Sequence, residues 1–166
     1  MEKLGTERSI DPVGRIVIPA QMREKYCLGY GDRVMVSDNG RGFTVTPVEA
    51  GSIGADKAEA LGAALTTREA SVGVCSKRKL LGGGGVFADK KGFSLLAQTA
   101  GAVAEGRTVF FDDLAIGRGF SVPCTVFPII KDGKPIGALL VSAEKAVSDK
   151  GSAFYEAAAK VVALLA

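Results

Sequence analysis

The chain contains no histidine, and that absence excludes more chemistry than any other feature of its composition. Histidine is the commonest metal ligand and the commonest general base at neutral pH, so hydrolase and metalloenzyme readings lose their usual centre. Cysteine is scarce as well. Cys27, Cys75 and Cys124 are odd in number and widely spaced, which argues against a disulfide framework and for a reducing compartment. No stretch approaches 18 consecutive apolar residues, so no membrane span is expected. The opening Met-Glu-Lys-Leu-Gly-Thr-Glu has no apolar core and does not read as a signal peptide. Neither charge sign dominates. The net charge is +3, and residues 1–50 hold seven basic and seven acidic groups. Bulk charge therefore does not point to nucleic acid, and any such case rests on where particular arginines lie.

What is present is a globular composition, 47% hydrophobic and 23% charged over 166 residues, enough for one domain or two small ones. The most informative stretch runs Arg8-Ser-Ile-Asp-Pro-Val-Gly-Arg15-Ile-Val-Ile-Pro19 and continues Ala20-Gln-Met-Arg23-Glu-Lys25. Asp11-Pro-Val-Gly14 is turn chemistry between two short predicted strands, Arg8 to Ile10 and the β-branched run Ile16 to Ile18. Pro19 suits the first turn of a helix over about 20–26. Two further strands, about 32–37 and 42–47, flank Asp38-Asn39-Gly40-Arg41, and Asn-Gly between apolar runs is a strong hairpin signal. This ββαββ unit is too small to bury a core alone and has neither disulfide nor metal spacing, so a partner chain is expected to complete it.

These residues resemble the swapped-hairpin DNA-binding domain of the AbrB/MazE family. The match to its hallmark run covers Arg8, Ile10, Asp11, Gly14, Arg15, Ile16, Val17, Ile18, Pro19 and Arg23. The resemblance implies an intertwined homodimer that binds double-stranded DNA through Arg8, Arg15 and Arg23 of both chains. Where the family often has a second arginine after Arg23, this chain has Glu24, which removes one phosphate partner and adds repulsion. Lys3 and Lys25 are the compensating candidates. Asp11 and Gly14 are read as shaping the turn.

Composition shifts after Pro47, and 51–55 reads as a linker. Residues 56–166 read as helix 56–67, strand 71–76, a strand from Leu80 that breaks at Gly82, helix 93–104, strand 108–111, loop 112–119, strand 121–130, a hairpin turn at 131–134, strand 136–142 and helix 149–166. That order gives an α+β domain with a mostly antiparallel sheet bracketed by helices. Pro123 and Pro128 place strand 121–130 at an edge. Asp149 is a candidate cap, and Phe154, Ala158, Val161, Val162 and Leu165 form the predicted buried stripe of the last helix. The alanine-rich helices 56–67 and 149–166 are expected to pack side by side and supply a second dimer or tetramer interface.

The run Pro128-Ile-Ile-Lys-Asp-Gly-Lys-Pro-Ile-Gly-Ala-Leu-Leu-Val141 resembles the closing hairpin of GAF-type sensor domains. A swapped-hairpin domain followed by a GAF-like domain resembles the SpoVT-type transcriptional regulators of sporulation genes. That resemblance implies a bacterial, cytoplasmic, nucleoid-associated protein without enzymatic activity, cofactor, metal or membrane partner. Its second domain would sense an unknown small molecule or drive oligomerisation. The alternatives are an antitoxin-type protein, and a ligand-sensing interaction module without specific DNA binding. Cys75 and Cys124 read as small buried hydrophobes, the alternative being a redox pair. Gly82–Gly85 is followed by no Gly-Lys-Ser/Thr, so it reads as a flexible loop, not a phosphate cradle. Lys77-Arg78-Lys79 and Lys90-Lys91 read as solvated basic loops, with a secondary DNA contact or an anionic ligand as the alternative.

Overall fold

The clearest local signal in the chain, Asn39-Gly40, forms the turn its chemistry predicts. In a computed structural model that describes residues 5–26, 28–30, 32–48, 53–144 and 146–166, strands β1 (Arg33–Asp38) and β2 (Phe43–Val48) pair antiparallel from Asp38↔Phe43 to Arg33↔Val48. The loop closes through Asn39 N–H to the Gly42 carbonyl at 3.1 Å, with Gly40 at φ 74°. Asp38 and Asn39 side chains accept from the Gly40 and Arg41 amides at 2.8 and 3.1 Å.

The chain divides into two units, Met1–Val48 and Glu49–Ala166. In the first, helix α1 (Ala20–Lys25) follows Pro19, whose carbonyl accepts from Met22 and Arg23 at 3.0 Å. The two strands expected at 8–10 and 16–18 do not form a ladder in the single chain. The turn between them closes, but a strand is completed only by a neighbour, and β1 and β2 pair only with each other. No described residue of this unit is buried.

The second unit is α+β. Helix α2 (Ala55–Leu65) leads to β3 (Ser71–Ser76) and β4 (Leu80–Gly83), then a 3-10 turn at Gly85–Phe87 and helix α3 (Ala97–Glu105). Strands β5 (Val109–Gly117), β6 (Phe120–Lys131) and β7 (Lys134–Ser142) follow, and helix α4 (Asp149–Leu165) closes the unit. The five strands form one antiparallel sheet in the order β4-β3-β7-β6-β5. Val72, Val74, Phe127, Ile129, Leu139 and Val141 face α2 and α4, while Cys75, Leu80, Leu114, Val126 and Leu140 face the α3 side with Phe87. Among the described residues no helix is long and apolar enough to cross a membrane.

Several expectations need correction. Of the linker 51–55, residues 51 and 52 lie outside the described residues, Ile53 is buried in the second unit's core, and α2 starts at Ala55. The glycine run is not loose. A Cβ on Gly62 would lie 2.5 Å from the Gly83 Cα, and one on Gly82 would lie 2.7 Å from the Glu59 Cα, so glycine is what lets α2 rest on the β4 backbone. Helix α3 begins four residues later than expected, because Phe93, Leu95 and Leu96 bond in extended form to Leu80, Arg78 and Ile116. The expected loop 112–119 is mostly strand: the register shifts between Phe111 and Leu114, so Asp112-Asp113 sits at a bulge and β5 continues. Strand β6 is internal, not an edge. Its pairing to β7 begins only at Thr125 and its pairing to β5 ends at Val126, so Pro123 and Pro128 each sit where one side of β6 is unpaired.

The cap of α4 is Ser148, whose hydroxyl accepts from Gly151 N–H at 3.4 Å, and not Asp149. Its buried stripe is Tyr155, Ala159, Val162 and Ala163. Phe154 and Val161, expected inside, are each 54% exposed. Helix α4 is therefore apolar on two adjacent faces. The helices α2 and α4 cover one face of their own sheet, over β3 and β4 and over β6 and β7 respectively.

Candidate nucleic-acid interface

The arginine turn of the first unit is built by one carboxylate. Asp11 Oδ1 accepts from the backbone N–H of Val13 (3.1 Å) and Arg15 (2.8 Å), and Oδ2 accepts from Arg15 Nε at 2.8 Å. The backbone repeats the closure: Asp11 N–H donates to the Arg15 carbonyl at 3.0 Å and Gly14 N–H to the Asp11 carbonyl at 2.9 Å. Gly14 takes φ 82°, a conformation that excludes most side chains. Donation from the Arg15 backbone and guanidinium holds the Asp11 carboxyl below its ordinary range. Asp11 and Gly14 thus shape the turn, as their chemistry predicts. They also fix the root and Nε of Arg15, whose side chain stays exposed.

Arg8 is exposed on the segment leading into this turn, and Arg23 and Lys25 are exposed in the last turn of α1. Lys25 Nζ lies 5.5 Å from the centre of the Tyr26 ring. Glu24 is exposed between Arg23 and Lys25, which places its charge among the cations. Lys3 lies outside the described residues. The turn and α1 therefore hold Arg15, Arg23 and Lys25 on solvent, on a frame set by Asp11, Gly14 and Pro19.

Beside these cations the first unit is open. A cleft of about 900 Å³ is walled by Ile10, Ile16, Ile18, Val34, Val36 and Phe43. Ile10 is 63% and Val17 74% exposed, so apolar side chains face solvent around this cleft.

In the second unit the two described cysteines are free and buried. Burial pushes the Cys75 thiol up to about 12, and burial together with the neighbouring Cys75 pushes Cys124 up as well. Cys75 Sγ donates to the Ala138 carbonyl at 3.5 Å and Cys124 Sγ to that of Thr125 at 3.6 Å. Both lie in the core facing α3, where burial disfavours the thiolate a redox pair needs. The run 128–141 falls on the β6–β7 hairpin, turned by Asp132 (φ 51°) and Gly133 (φ 73°). A small surface cleft of about 220 Å³ lies nearby, lined by Arg107, Pro128, Ile130, Glu156 and Lys160. Compared with known proteins, the chain matches no family model and no curated protein.

Proposed function

We propose that the chain is a DNA-binding transcriptional regulator of the SpoVT type, with a swapped-hairpin dimer at residues 1–50 and a GAF-like domain at 56–166. The observation that carries this reading is that no described residue of the first unit is buried, beside a turn that fixes an exposed arginine. A second copy laid into the open cleft would turn Ile10, Ile16, Val34, Val36 and Phe43 from exposed into core. It would also supply the missing ladder partner for 8–10 and 16–18. Burying apolar surface at about 25 cal/mol per Å² is the term large enough to drive such an association. Two chains would then present Arg8, Arg15 and Arg23 twice, as a two-fold surface suited to phosphates and groove edges.

For the second domain, the five-stranded antiparallel sheet with helices on both faces supports the GAF-like reading. Its role is to bind a small effector or to assemble copies. The exposed apolar residues of α4, Phe154, Val161 and Leu165, support a tetramer formed through this helix.

The test is binding of the intact protein to mixed genomic DNA fragments across a salt series, with the Arg8→Ala/Arg15→Ala/Arg23→Ala variant beside it. Salt-sensitive binding that the variant loses supports the regulator. A folded wild-type dimer that binds no DNA at low salt overturns it.

A further inference from the structure

Two basic turns that lie 54 residues apart in sequence arrive at the same end of the second unit's sheet. The first is Lys77-Arg78-Lys79 between β3 and β4. The second is Lys131-Asp132-Gly133-Lys134 between β6 and β7. Strands β3 and β7 are neighbours, with Ser76 opposite Gly137, so both turns leave the sheet in the same direction. Together they carry five cationic side chains and one carboxylate. The other charged residues of 51–166 number nine basic and ten acidic. The unit's positive charge is thus concentrated at this one end, and the remainder is near neutral.

Lys79 and Lys134 are exposed and Lys131 is half-buried. Lys77 and Arg78 have interactions of their own, so Lys79, Lys131 and Lys134 are the cations taken to meet a ligand. Nearby Arg107 is already neutralised by Glu105 at 2.8 Å. Both turns are closed by local contacts. Ser76 Oγ accepts from the Arg78 and Lys79 amides at 3.2 Å, and Lys131↔Lys134 closes a two-residue hairpin.

We propose that this end of the sheet binds the phosphate backbone of double-stranded DNA without reading its sequence. The inference rests on the regulator reading for the identity of the polyanion. The four strands between the turns span about 14 Å at 4.7–4.9 Å each, and that length of duplex axis carries about eight phosphates. A membrane surface is the weaker fit, because neither turn carries an aromatic or long aliphatic side chain to enter a bilayer. The second unit then adds affinity, while the arginines of the first unit supply sequence preference.

The experiment measures DNA affinity against salt for four forms of the full chain: wild type, Lys79→Gln/Lys131→Gln/Lys134→Gln, the triple arginine-to-alanine variant, and the two combined. Vesicles of phosphatidylserine and phosphatidylcholine serve as a second ligand. The lysine substitutions fall on exposed or half-buried side chains, and an unchanged thermal midpoint confirms folding. The expected result is a salt slope shallower by about 2–3 in the chain that keeps its arginines, equal for specific and scrambled DNA. Between 50 and 200 mM salt the wild type then loses about 40-fold more affinity than the lysine variant.

An unchanged slope in the lysine variant overturns this inference, and if the arginine variant still loses binding, the regulator reading survives. A shallower slope in the lysine variant with full binding in the arginine variant does the reverse. Loss of vesicle binding with DNA binding intact assigns the surface to membranes and also overturns the inference.

Discussion

Asp11 is the residue on which the arginine turn depends. Its carboxylate is depressed by donation from Arg15, so its stabilising contribution is full above the unfolded carboxylate value of about 4 and is lost as pH falls through its lower folded value. A pH titration followed at the Arg15 amide by NMR is expected to show one transition below about pH 4, absent in Asp11→Asn. A transition that persists in Asp11→Asn would assign it to another group. In the second unit, the buried Thr125 hydroxyl has no hydrogen-bond partner among the described residues. Thr125→Val keeps the shape and removes the desolvated oxygen, so denaturant unfolding is expected to show a gain of about 1 kcal/mol. A loss of similar size would mean that the hydroxyl has a partner.

At the level of elements, glycine sets how closely α2 approaches the sheet. Gly62→Ala would place a methyl 2.5 Å from the Gly83 Cα, where backbone cannot yield cheaply, and is expected to cost about 1–3 kcal/mol or more in denaturant unfolding. Gly101→Ala, in open space on α3, is the matched control and is expected to be neutral or stabilising. The strands β3 and β7, the β1–β2 hairpin and all four helices are legible in the sequence, because runs such as Ser71–Ser76 and Ile136–Ser142 lie between unambiguous turn residues. What is not legible depends on packing. Asp112-Asp113 looks like loop until a bulge absorbs it, and Gly82–Gly85 looks flexible until Glu59 and Gly62 are seen against it. On α4 the stripes 154/158/161/165 and 155/159/162/163 are both apolar at helical spacing, and only packing on β6 and β7 selects the second. Of the candidate site, the turn is legible from Asp11 and Gly14, but the tether of Asp11 on Arg15 is not, since two charges four apart in a turn carry no periodic signal. The unselected α4 stripe carries a prediction of its own. Phe154→Lys/Val161→Lys is expected to leave the fold intact and to lower the mass in solution from tetramer to dimer. An unchanged mass would leave that stripe without a role in assembly.

At the scale of the whole molecule, the two units differ in what they can do alone. The second has two filled cores, one on each face of its sheet. The first exposes its apolar residues around an open cleft and has no buried residue among those described. The account therefore depends on a second chain closing that cleft, because the paired arginine surface exists only if it does. The measurement that tests this most directly is sedimentation equilibrium of the full chain at micromolar concentration, with Ile16→Lys/Val36→Lys alongside. The account predicts a dimer or a multiple of it for the wild type. In the variant it predicts a lower mass and rapid amide exchange at 5–48 while the second unit stays protected. A monomeric wild type whose first-unit amides are nevertheless protected from exchange would contradict it.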